Sequence, residues 1–270
     1  MWLIPLILVP VAIWMFLWFW SHKGHRAIAR GFRTLGAVDA IMDAYKQGDY
    51  STAHENVERL KSGISKSAEY CFFRGSMLYH SGKFEEAEAS LREGMRLEED
   101  PRQKALAYST LATVLMEQGR YPEAIGFFEN AGRAWPGRGA NHRGIAEVWL
   151  RQGREFPEAL QHARQALEID RQASGMRRDA LDSRLGENLG VLAWAVAANS
   201  GDIAEVESLL KEAFPLLDPK TKPVLAEFHY HVGRAYSALN RREKSAEHFR
   251  QATELDPQGI FGKLARAAIA

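Results

Sequence analysis

Apolar and polar positions alternate along this chain with the period of a helix. From residue 107 to 115, Ala107, Leu111, Val114 and Leu115 recur at i, i+4, i+7 and i+8, the stripe of a helix that buries one face. The pattern stops at Gly119, placed to take the left-handed turn that ends a helix. It resumes at Pro122, a residue well tolerated in a first helical turn. Ala124, Phe127, Phe128 and Ala131 then share one side, and Trp135-Pro136 closes the segment. The unit is a helix, a tight turn and a second helix. Neither helix can bury its stripe alone, and stacking on neighbouring units solves that.

The unit recurs. Glycines at 48, 82, 119 and 153 are each followed by an aromatic, Tyr50, Phe84, Tyr121 and Phe156, and then by Ala53, Ala87, Ala124 and Ala159. The alanines are separated by 34, 37 and 35 residues, so three residue types keep step with one period. The fourth unit carries one extra residue between Gly153 and Phe156. A fifth, around Gly201, has Val206 where Ala is expected and no aromatic after its glycine. The spacer before it, RQASGMRRDALDSRLG, predicts a lengthened first helix. The last unit has Asn240 at the turn, with Arg242 and Ser245 in place of the aromatic and the alanine.

This arrangement resembles the tetratricopeptide repeat family. The third unit supplies Ala112, Leu115, Gly119, Tyr121, Ala124, Phe128, Ala131 and Pro136 of its consensus, and the last supplies Gly233, Tyr236, Phe249, Ala252 and Pro257. The resemblance implies an all-α fold, a right-handed superhelical solenoid of about six helical hairpins over residues 34–257. Residues 258–270 are read as a C-terminal capping helix. It also implies that the first helix of each hairpin lines a concave groove that takes a peptide or protein segment. Carried onto this chain, the groove positions are Phe72, Ser76, Tyr79, Ser109, Thr113, Arg143, Glu147, Tyr230 and Arg234. Tyr and Arg are residue types that concentrate binding energy. The Lys and Asn set of the family's carboxylate-clamp variant is absent. The groove's other candidate occupants are the chain's own N-terminal segment and a second copy, which would make a homo-oligomer.

Ahead of the repeats, MWLIPLILVPVAIWMFLWFW (residues 1–20) contains no charged side chain. As a helix it would span about 30 Å, the thickness of a bilayer core, with Trp2, Trp18 and Trp20 at its two ends. A basic segment, 21–33, follows with Lys23, Arg26, Arg30 and Arg33. Nothing basic precedes the apolar run, and no small-residue cleavage site closes it, so an uncleaved single-pass anchor fits better than a signal peptide. The positive flank places the repeats on the cytoplasmic side.

Charge and chemistry narrow the reading further. With 35 basic and 34 acidic residues the net charge is +1, which gives no nucleic-acid footprint. The single cysteine, Cys71, excludes an internal disulfide and any multi-cysteine zinc site; its apolar setting reads as core. His229 and His231 are two apart on a helix and point to nearly opposite faces. His22 and His25 have no carboxylate close by. The Gly-rich GRGANHRG at 137–144 follows a helix end and lacks a Gly-Lys-Ser/Thr ending, so it is a linker rather than a phosphate loop. No catalytic motif, metal site or cofactor is expected. The expected function is a membrane-anchored scaffold that binds proteins through its groove. The layout also resembles that of lipopolysaccharide-assembly proteins with an N-terminal anchor and cytoplasmic repeats, though their terminal paired-cysteine module is missing. An exported or periplasmic chaperone-like helper of envelope or secretion machinery is the alternative, as is a structural subunit of a membrane complex.

Overall fold

The computed structural model describes residues 36–64 and 67–269. The expected anchor over 1–20 and the basic segment over 21–33 lie outside them. Among the described residues no helix is long and apolar enough to cross a membrane.

The described residues form thirteen α-helices and no strand. They pair in chain order: α1 (residues 36–46) with α2 (Tyr50–Ile64), α3 (Ala68–His80) with α4 (Phe84–Leu97), α5 (Pro101–Glu117) with α6 (Tyr121–Ala134), and α7 (Ala140–Gln152) with α8 (Phe156–Arg171). Then come α9 (Arg178–Asn199) with α10 (Ile203–Ala213), α11 (Lys222–Ala238) with α12 (Arg242–Leu255), and a last helix α13 (Ile260–Ile269). Second helices also pack on the next hairpin through α2 to α3, α4 to α5, α6 to α7 and α8 to α9, while α3, α5, α7, α9 and α11 touch in series. The first helices therefore form one continuous inner face.

The turns follow from backbone geometry. Gly119 has φ +74°, and its N–H donates to the Met116 carbonyl while Arg120 N–H donates to Leu115 O at 2.9 Å. This pair of bonds satisfies carbonyls the helix end would leave unpaired. The same pair recurs at Asn240, φ 58°, with Arg241 N–H reaching Tyr236 O at 2.8 Å. Asn is among the few residues with a side chain that visit this conformation routinely. The extra residue of the fourth hairpin is absorbed by Glu155, also left-handed at φ 52°, so that Phe156 still opens α8 and Ala159 is still fully buried. The long spacer does lengthen a helix: α9 has 22 residues.

Small residues on the second helices let neighbours approach. Ala53, Ala87, Ala124, Ala159 and Ala252 have no exposed surface, and Val206 fills the same place in the fifth hairpin. Where Ser245 replaces the alanine, its hydroxyl donates to the Gly233 carbonyl at 2.9 Å, which satisfies the buried group. Cys71 is buried, as its apolar neighbours indicate, and burial raises its thiol pKa. At Gly144 of α7 a methyl group would stand 2.3 Å from the Phe128 ring of α6.

The array closes on itself. α13 packs on α11 and α12, covering the last apolar face, but Ile260 also joins the core made by α3 to α7. Asp256, between α12 and α13, accepts a 2.6 Å hydrogen bond from the Tyr50 hydroxyl at the start of α2. Both groups are buried, so the first hairpin and the end of the last one meet.

The packing separates two glycines that look alike in sequence. Gly144→Ala is expected to lower stability by about 1–3 kcal/mol through overpacking. Gly126→Ala, where nothing lies within 4 Å of the added methyl, is expected to raise it by about 0.5–1 kcal/mol. Urea unfolding of the two variants beside the parent checks both signs.

Candidate functional site

The inner face holds a cavity of about 180 Å³. Six of the predicted groove residues line it: Ser76 and Tyr79 from α3, Ser109 and Thr113 from α5, and Arg143 and Glu147 from α7. Glu227 of α11 and Phe261 of α13 also stand in the wall. Ser109 donates to Asn141 Oδ1 at 2.5 Å, and the Thr113 hydroxyl donates back to the Ser109 carbonyl. Phe72 lies apart from this cavity. With Phe73, Leu106 and Thr110 it lines an apolar notch of about 270 Å³ between α3 and α5. Ser76 and Thr110 border both spaces, so notch and cavity adjoin.

Tyr230 and Arg234 differ from the expectation of an open groove. Tyr230 is 5% exposed, with Phe261 of α13 5.6 Å and Phe249 of α12 6.0 Å from its ring centre. Arg234 lies over the Trp194 ring at 5.0 Å. The register of the family places both residues on the inner face, but α13 covers that end, and Tyr230 is part of the core.

Charges are concentrated inside. Arg151 bridges Glu147 at 2.7 Å and Glu117 at 2.9 Å, with all three side chains under 10% exposed. Arg143 pairs with Glu187. Burial opposes ionisation of Glu147, but Arg151 and His231 outweigh it and hold its carboxyl below the usual range. At Glu117 burial prevails over Arg151 and the pKa is raised. Burial also raises Glu227, with Glu187 and Glu147 adding to it against Arg143. Asp170, at the end of α8, is fully buried and accepts from Arg184, the Gly139 N–H and Asn188.

Sequence reasoning missed Glu117, Arg151, Glu187, Glu227 and His231. His229 and His231 do point apart: His229 meets His248 with Nδ1 atoms 2.9 Å apart, whereas His231 faces Glu147. The available signal was Glu227 and His231 at i and i+4, which places them on one face.

At the seam of the first two hairpins, His80 is enclosed by three tyrosines. Its ring stacks on Tyr50 at 5.6 Å, with Tyr45 at 4.8 Å and Tyr79 at 4.9 Å. Burial pulls its pKa down from 6.5 to about 4. Between hairpin helices α7 and α8, His142 and His162 bring their Nδ1 atoms to 2.9 Å, and burial lowers both pKa values.

Models of the tetratricopeptide repeat match residues 38–101, 103–172 and 226–258, together more than half of the chain. The chain belongs to the tetratricopeptide repeat family. The unmatched stretch, 173–225, holds the lengthened α9 and the hairpin without its alanine. No curated protein matches the sequence. Among solved structures, a chain of the APC/C hetero-tetramer Cut9-Hcn1 superposes with TM-score 0.60 at 16% identity, over 85% of this chain and 41% of that one. PilF of Pseudomonas aeruginosa gives 0.49 at 14% identity, over 89% and 99%. YrrB, described as a TPR protein with an unusual peptide-binding site, gives 0.42 at 21%, over 80% and 100%. These likenesses concern the fold.

The depressed histidines set a pH dependence. In the unfolded chain each titrates near 6.5, so as pH falls below that value the unfolded state binds protons the folded state refuses. Their contribution to stability is therefore full above about pH 6.5 and is lost as pH falls toward about 4, while the raised carboxyls of Glu227 and Glu117 act with the opposite sign. Thermal unfolding from pH 7.5 to 4.5 is expected to show the Tm of His80→Phe gaining on that of the parent as pH falls, because the variant lacks one depressed histidine.

Proposed function

We propose that this protein is a docking scaffold held at a membrane by residues 1–20, and that it receives a segment of another protein in the notch between α3 and α5. The observation that carries the reading is the continuity of notch and cavity. An apolar, open entrance formed by Phe72, Phe73 and Leu106 leads to a polar interior. A segment that sets an apolar side chain on the entrance and presents hydrogen-bonding groups to Ser76 and Thr110 matches this surface. Apolar anchors in pockets with a polar surround are the usual source of affinity in such contacts. The uncharged 20-residue run ahead of the basic flank supports tethering, and the flank supports a cytoplasmic repeat array.

Tyr230 is unsuited to a test of docking, because its removal would open the core. Leu106→Arg instead places a charge in the notch, on a half-buried side chain. Cross-linked capture on the full-length protein from membranes is expected to recover a partner that the Leu106→Arg variant loses while its unfolding curve stays close to the parent's. Recovery of the same partner by both would contradict docking in the notch. Deleting residues 2–20 is expected to release the protein from the membrane fraction, and retention there would contradict the tether.

A further inference from the structure

Glu227 and His231 sit one turn apart on α11, so their side chains leave the helix on the same face, and Glu147 of α7 faces them. Ligand-type atoms of the three lie within 4.8 Å of one another. His231 has no exposed surface, and neither of its ring nitrogens makes a hydrogen bond. Its Nε2 stands 3.4 Å from Glu147 Oε1. A fully buried imidazole with no hydrogen-bond partner is uncommon and calls for a reason.

The geometry points to a divalent transition-metal site formed by Glu147, Glu227 and His231. One imidazole nitrogen with two carboxylate oxygens is a donor set for Zn²⁺ and its first-row neighbours, whereas Ca²⁺ and Mg²⁺ take oxygen ligands. Donors about 2.1 Å from a tetrahedral ion lie roughly 3.4 Å from each other. The His231–Glu147 separation already has this value, and the Glu227 carboxylate needs a shift on the order of 1 Å, for which the adjoining cavity has room.

The surroundings are those of an outer shell. Arg151 donates to Glu147 Oε1, the oxygen that also faces His231, and is itself held by Glu117, and Arg143 is held by Glu187. Arg234 is directed onto the Trp194 ring. Partners of this kind orient metal-ligating carboxylates. Three protein ligands leave a fourth position open to the cavity, where water or a donor atom of an incoming segment fits. The site stands independently of the docking reading, since none of its three ligands lines the notch.

The test is calorimetric titration of the full-length chain in detergent, stripped with a chelator and then supplied with Zn²⁺, Mg²⁺ or Ca²⁺ alone. The expected result is one Zn²⁺ per chain with a raised Tm, and no comparable response to the other two ions. Glu227→Gln should bind Zn²⁺ at least about tenfold more weakly, with a metal-free Tm no lower than the parent's. If that variant does not fold, His231→Gln carries the same reading. The rival zinc sites are the pairs His142–His162 and His229–His248, so the double variant His162→Ala with His248→Ala should keep the Zn²⁺ equivalent. Absence of a bound equivalent, parent-like affinity in Glu227→Gln, or loss of binding in the double histidine variant would each overturn the proposal.

Discussion

The helices of this array carry apolar faces, α9 being buried on every side from Asn188 to Ala197, and none can bury its apolar surface except against a neighbour. That constraint sets the spacing of the turns, the alanines at closest approach and the need for a cover at each end. A hairpin inside the array finds a neighbour on both sides. The last hairpin does not, and α13 supplies the missing surface with Phe261 and Ala265. The same helix reaches further, because Ile260 enters the core of the hairpins at the other end. Covering one apolar face thereby brings the first and last hairpins together, and the Tyr50–Asp256 hydrogen bond marks the junction.

Closure changes what the inner face is. In an open array Glu147, Arg151 and Tyr230 would meet water, and their charges would be screened by it. Here they are enclosed, so each charge needs a partner within reach, and the network of Arg151 with Glu117 and Glu147 meets that need. Such pairs gain little over an apolar core, since desolvation consumes most of their attraction, yet removing one member is costly. The enclosed interior is therefore poorly placed to receive a large partner and well placed to hold something small. The entrance between α3 and α5 keeps apolar surface open to solvent. The two proposals divide the surface accordingly, the notch for another protein and the interior for an ion.

Much of the fold could be read from local pattern, because the causes were local. Left-handed turns favour Gly or Asn, and the glycines at 48, 82, 119 and 153 and Asn240 stand at such turns. Close helix approaches need small side chains, and the buried alanines are where the period puts them. The inner-face residues were legible through family register, which says which way a side chain points but not what covers it. For that reason Tyr230 was read as a contact surface and is core instead. The junction of Tyr50 with Asp256 joins residues 206 apart, and no periodic signal within either segment announces it. His231 was set aside by comparison with His229, when its neighbour in space is a carboxylate on another helix.

Closure of the array is the claim on which this account rests, and a distance measurement tests it most directly. Spin labels at Ser51→Cys and Gln258→Cys, with buried Cys71 replaced by Ala, would report it by pulsed electron resonance; both positions are exposed and border one shallow pocket at the junction. The account predicts a single narrow distribution at short distance. A broad distribution, or one centred far beyond the junction, would show an open array and would contradict it.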